Sequence, residues 1–193
     1  MSKKIMLRNV RLSYEHIFTP TKFDDTQEAK YSATFIIPKD HADLPAMKRA
    51  MMEAGAETFA SDFTGKGWPK GYTCSLKDAD VDTNGLGEVL AEKNAAYAGC
   101  YILEANSTRR PVAVNRDKSA VTEDDGIIYS GCYVNASLAA AGYTFGKMKK
   151  GVKCYLNGVQ FVKDGDRFGS DATNDFDALD GEDGEDGGNS WTN

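Results

Sequence analysis

The patterned runs of this chain mostly repeat with a period of two, and over residues 43–60 that period gives way to 3.6. In residues 6–14, Val10, Leu12 and Tyr14 alternate with Arg11 and Ser13, the pattern of a strand with one face buried. Arg8 breaks the phase, which predicts a bulge near Asn9. Residues 30–37 set Tyr31, Ala33, Phe35 and Ile37 against Ser32, Thr34 and Ile36, and Pro38 stops the strand because it has no amide hydrogen to give a ladder. Between 43 and 60 the spacing changes: Leu44, Met47, Met51 and Ala54 recur as on one face of a helix, with Pro45 in the first turn and Asp43 available as a cap. A second short helix is expected within 86–97.

Strands then return. Residues 100–106 and 111–115 flank a polar turn, residues 127–138 alternate, and 152–156 and 159–162 follow with a kink or bulge at Gly158. Strands, one helix, then more strands, without βα alternation, argue against a parallel α/β sheet. The expected fold is mainly β, an OB-like antiparallel barrel with one or two short helices and a disordered C-terminal tail.

The tail is marked by charge. The chain of 193 residues carries 23 basic and 29 acidic side chains, and its net charge of −6 argues, as an average, against a polyanionic partner. From Asp164 onward there are ten acids and one base, Arg167, which leaves 22 bases against 19 acids before it. The expected division is therefore a mildly basic domain over 1–163 and an acidic tail over 164–193. The tail is too poor in apolar residues to offset the entropy of ordering it. Phe176, Leu179 and Trp191 are its bulky exceptions, and solubility alone does not require them.

A binder of unpaired nucleic acid needs cations for phosphates beside rings for bases. Tyr129 and Tyr133 fall on the polar side of the 127–138 pattern, and Lys153 and Tyr155 share a face of the last strand. The glycine-punctuated loop with Lys66, Trp68, Lys70 and Tyr72 is a second source, with a fold-back of its indole as a lid on the barrel end as the lesser alternative. Arg11, Arg109 and Arg110 add cations. The expected DNA-binding set is thus Arg11, Lys66, Trp68, Lys70, Tyr72, Arg109, Arg110, Tyr129, Tyr133, Lys153 and Tyr155.

Other chemistries find little support. Gly65, Gly67 and Gly71 lack phosphate-loop spacing, and no nucleophile sits in a catalytic motif. Asp78, Asp80, Asp82 and Asn84 begin like a calcium loop, but Thr83 stands where glycine is needed and Val89 where the closing glutamate belongs. Cys74, Cys100, Cys132 and Cys154 are too far apart for a zinc site and are expected to be reduced and buried. No enzyme activity, cofactor or metal is expected. The Met1-Ser2-Lys3-Lys4 start predicts no secretory leader, and no apolar run is long enough for a bilayer, so a cytoplasmic protein is expected.

Several segments resemble one family. Residues 10–14 (Val-Arg-Leu-Ser-Tyr), 30–38 (Lys-Tyr-Ser-Ala-Thr-Phe-Ile-Ile-Pro), 109–111 (Arg-Arg-Pro), 129–133 (Tyr-Ser-Gly-Cys-Tyr), 157–160 (Asn-Gly-Val-Gln) and 163–165 (Lys-Asp-Gly) are similar to phage-encoded single-stranded-DNA-binding proteins with an OB-type fold. The resemblance covers most of residues 5–168. It implies sequence-independent binding of single strands in phage replication and recombination, in the host cytoplasm, with DNA as the main ligand and RNA as an open alternative. It also implies an acidic tail that recruits polymerase, helicase or nuclease. Related tails commonly end on an aromatic residue, whereas Thr192 and Asn193 follow Trp191 here. The tail is further expected to compete with DNA for the basic groove, and the protein to be a monomer or weak homo-oligomer. The rival reading is a phage structural or assembly protein whose barrel binds other subunits.

Overall fold

The computed structural model describes residues 2–22, 28–65, 67–146 and 149–168. Lys66, Phe176, Leu179 and Trp191, and with them the expected tail beyond Phe168, lie outside the described residues. In chain order the elements are β1 (Lys3–Thr21), β2 (Lys30–Pro38), α1 (Leu44–Phe59), β3 (Tyr72–Cys74), β4 (Leu76–Asp78), α2 (Leu90–Lys93), β5 (Cys100–Ser107), β6 (Val112–Val114), β7 (Tyr133–Phe145) and β8 (Lys149–Lys163).

Among the described residues, five of these strands close a barrel in the order β1-β2-β5-β8-β7. β7 returns to β1, and the β5–β8 pair is parallel where the other four are antiparallel. This is the OB arrangement, with β2 and β5 as its second and third strands. β3, β4 and β6 extend the sheet at its margins. Inward side chains from all five barrel strands, among them Leu7, Leu12, Phe35, Leu103, Val134, Leu138, Val152 and Leu156, fill the core.

α1 plugs one end. Leu44, Met47, Met51 and Ala54 are buried, as their spacing requires, and Pro45 sits in the first turn. Asp43 precedes the helix but makes no side-chain cap; its carboxylate instead accepts from the backbone N and Nη1 of Arg8, each at 2.9 Å. The competition is local, because the bulge in β1 at Arg8–Asn9 presents both donors there. The bulge falls where the broken phase placed it, with Asn9 at φ 53°.

Three expectations are corrected. Tyr14 is not on the core face: a second register slip between Ser13 and His16 buries Ser13 and leaves Tyr14 65% exposed at φ 46°. The strand expected over 127–138 begins only at Tyr133, since Ser130 and Gly131 form a turn, and runs on to Phe145. The last two expected strands are one, β8, with a register shift opposite Ser137–Leu138. There Asn157 is the extra residue, and a Cβ on Gly158 would meet the Val112 carbonyl of β6.

All four cysteines are free. Burial pushes the thiols of Cys74 and Cys132 up to about 11 and that of Cys154 up to about 12. Because the thiolate is the reactive form, Cys132 and Cys154 should resist Ellman's reagent in the native protein and react once it is unfolded. A second check concerns Gly55 in α1, where a Cβ would collide with the buried Phe63 ring. Gly55→Ala should gain about 1 kcal/mol of helix propensity and lose about 1–3 kcal/mol to overpacking. Denaturant unfolding should therefore show a less stable protein.

Candidate nucleic-acid interface

The expected DNA-binding residues fall into three places. Arg109, Lys153 and Tyr155 come together on the outer face of the barrel. Tyr155 lies beside Asn106 through the parallel β5–β8 pairing and opposite Ala139 of β7. Together with Lys30, Asn106, Ser107 and Asn157 these residues line a cleft of about 480 Å³. Its charged lining is Lys30, Arg109 and Lys153 against Glu28 alone, so it is cationic. Arg110 follows Arg109 in the same exposed turn.

The rings here are held next to cations. Lys153 Nζ lies 4.6 Å from the Tyr155 ring centroid and 5.4 Å from that of Tyr143. Tyr143, Ala141 and Ala139 share one face of β7 by the two-residue period, and Phe145, 74% exposed, continues it. The two alanines leave space between the rings. Tyr143 is further tied to Thr73 Oγ1 at 2.6 Å. The face thus carries Phe145, Tyr143 and Tyr155 with Lys153 among them.

Glu28, Lys30 and Asn106 also line a second cleft, of about 710 Å³, that continues over β2 and β5 past Ser32, Thr34, His16 and Lys22 to Tyr14. The bulge that turns Tyr14 outward therefore delivers a ring to the far end of the same path, with its backbone N bonded to Ser130 Oγ at 3.2 Å. In OB barrels the face of the second and third strands is where oligonucleotides lie. Tyr14, Lys30, Asn106, Tyr143 and Phe145 were missed from the sequence. The small residues Ala139–Gly142 hid the continuation of β7, and the exposed φ > 0 of Tyr14 leaves no mark on periodicity.

The second place is the loop before β3. Trp68 Nε1 donates to Tyr72 O at 2.9 Å, and the indole packs edge-on against Phe63 with centroids 5.3 Å apart. Tyr72 is buried against Phe59 and Phe63, Lys150 lies 4.2 Å over its ring, and its hydroxyl donates to Asp62. That hydroxyl, Ser61 and Lys150 hold the Asp62 carboxyl below the usual range. This corrects the expectation for Tyr72, whose ring has no free face for a base. Trp68 has folded back as the lid, leaving Lys70 exposed beside it.

The third place gathers Arg11, Tyr129 and Tyr133 around residues 163–168. Tyr133 has Lys163 Nζ 4.5 Å over its ring, and the hydroxyl of Tyr129 lies 3.0 Å from both Asp164 Oδ1 and Gly165 O. Tyr129 sits before β7 rather than on it.

Nor do the aspartates of the half-matched calcium loop form a metal cage. Lys39 Nζ bridges Asp78 and Asp80 at 2.7 and 2.8 Å, and Asp82 accepts the backbone N of Asp78. Among the described residues no helix is long and apolar enough to cross a membrane.

The chain and its fold have counterparts among known proteins. Residues 3–187 match the family model described as Enterobacter phage Enc34, ssDNA-binding protein. Protein p50 of Acyrthosiphon pisum secondary endosymbiont phage 1 is 35% identical over 187 residues, covering 91% of this chain and 94% of its own. The single-stranded DNA-binding protein from bacteriophage Enc34, solved in complex with ssDNA, superposes with a TM-score of 0.68 at 26% identity, over 86% of this chain and 90% of that one. The fold is shared too with gp2.5, a single-stranded DNA binding protein encoded by bacteriophage T7, at a TM-score of 0.60 and 15% identity over 96% of this chain and 100% of that one.

Tyr72 and Tyr155, one buried and one on the outer face, should behave oppositely. Tyr72→Ala empties a buried aromatic cluster and should cost about 3–5 kcal/mol in denaturant unfolding, the usual loss for a large core ring. Tyr155→Ala, on the outer face, should leave stability within about 1 kcal/mol of the parent.

Proposed function

This chain belongs to the family of the Enterobacter phage Enc34 ssDNA-binding protein, and from that premise we propose that it binds single-stranded DNA without regard to sequence. The strand lies along the outer face from Tyr14 across β2 and β5 to Tyr155, Tyr143 and Phe145. The observation that carries this reading is Lys153 held between two tyrosine rings in a cleft with Lys30 and Arg109. Rings stack on bases of any identity and cations neutralise phosphates, which is what a sequence-tolerant binder needs. Asn106 and Asn157 add hydrogen-bonding capacity at the floor. Lys70 and Arg110 are peripheral cations on this reading.

The protein acts without catalysis in phage DNA replication and recombination, in the host cytoplasm. Its architecture is a binding domain over 1–163 followed by an acidic tail over 164–193. The tail competes with DNA for the cleft and, when displaced, offers Phe176, Leu179 and Trp191 to polymerase, helicase or nuclease. Eight carboxylates and no cation follow Phe168, so the tail mimics a phosphate backbone. Tethering holds it near the cleft at about millimolar effective concentration.

Anisotropy of a labelled oligothymidylate tests the binding face. Tyr155→Ala should weaken binding by about 1–3 kcal/mol, the measured range for losing one base stack. Lys153→Ala should also flatten the plot of log affinity against log salt by about 0.7, the contribution of one neutralised phosphate on a single strand. Unchanged affinity and slope in both variants would place the DNA elsewhere. Ending the chain after Phe168 should tighten binding roughly two- to tenfold, as expected when a weak tethered competitor is removed.

A further inference from the structure

Residues 164–168 are fastened where the tail begins, by side chains that look on sequence like DNA contacts. Tyr129 bonds Asp164 and Gly165, accepting the Gly165 N at 3.2 Å in addition to its contacts with the two oxygens. Arg11 donates Nη2 to Asp166 O at 2.8 Å and Nε to Gly131 O at 3.2 Å, and its guanidinium lies 4.1 Å from the Phe168 ring centroid. Arg167 stacks back on Tyr129 at 4.0 Å, and the Phe168 N donates to Ser130 O at 3.1 Å. The two backbones pass so closely that a Cβ on Gly131 would strike the Asp166 carbonyl, and one on Gly165 would strike that of Gly131.

The path has a direction. Phe168 packs against the small cluster that Ile36, Ala79, Tyr97 and Ile102 form. Ile36 shares its face of β2 with Thr34 and Ser32, and Ile102 shares its face of β5 with Glu104 and Asn106. Those neighbours line the cleft. The anchored segment therefore ends against the cluster at the head of the cleft, where Ile36 lies two residues, about 7 Å of strand, from Thr34.

We propose that residues 164–168 are an anchor that aims the acidic tail down the DNA cleft, and that Arg11 and Tyr129 are positioning residues for the tail rather than DNA contacts. The proposal rests on the competition reading above. Without the anchor the tail would start at Lys163, on the β7 side of the barrel, and its carboxylates would spend less time over Lys30, Arg109 and Lys153.

The test measures oligothymidylate affinity at low salt for the full chain and for residues 1–168, with Arg11→Ala and Phe168→Ala in turn. Both substitutions should tighten the full chain roughly two- to tenfold, approaching the effect of removing the tail. Phe168→Ala should leave the affinity of residues 1–168 unchanged. If Arg11→Ala weakens binding in both backgrounds, Arg11 is a DNA contact and the proposal falls. It also falls if truncation tightens binding while neither substitution affects the full chain. Should truncation itself change nothing, the competition reading is what fails. The anchor is then judged by trypsin cleavage after Arg167: faster cleavage in the variants upholds it, and an unchanged rate overturns it.

Discussion

Two residue pairs, Ala105 with Cys154 and Asn106 with Tyr155, join β5 to β8 in parallel and turn a curled sheet into a barrel. Closure removes the open edges that a sheet of this size would otherwise expose. It buries Ala105 and Cys154 on the inside and, by the alternation of strands, sets Asn106 beside Tyr155 on the outside. The core and the cleft are thus two sides of the same pairing. A parallel pair needs a long crossover, and the stretch from β6 through β7 supplies it, carrying Tyr143 and Phe145 back to the same face.

What periodicity encodes, or a residue that visibly breaks it, was legible. The helix from Leu44 and its four buried positions could be read from spacing, the bulge at Asn9 from Arg8 falling out of phase, and the end of β2 from Pro38. The shared face of Lys153 and Tyr155 could be read as well, whereas the arrival of Arg109 in the same cleft depends on strand pairing far apart in sequence. Tyr14 could not be read. One extra residue in β1 flips every side chain after it to the other face, and no neighbour announces the slip. Nor could the tyrosines be sorted. Tyr72 stands between Gly71 and Thr73 on a strand too short to show a period, and it meets Phe59 and Phe63, whereas Tyr155, between the core residues Cys154 and Leu156, lines the outer cleft.

Three of the irregularities in the long strands serve different ends by the same means. At Arg8–Asn9 the bulge turns two donors onto Asp43 and so ties β1 to the start of α1. At Tyr14 it turns a ring outward. At Asn157 it lets β8 bend, so that Gly158 can accept the close passage of Val112 from β6. Each spends a ladder hydrogen bond to re-aim a neighbour, and each falls where the barrel meets something outside itself.

Lys153 has one ammonium and two rings, and it cannot stay over both once a base lies flat against either. On the proposed reading, a nucleobase arriving at Tyr155 or Tyr143 displaces the ammonium from that ring, and the incoming strand brings phosphates that can receive it. Occupation of the ring and transfer of the cation then become a single event, indifferent to which base arrives. On that reading the resting protein keeps its lysine where a base would lie, much as a cork keeps the shape of the neck it stops.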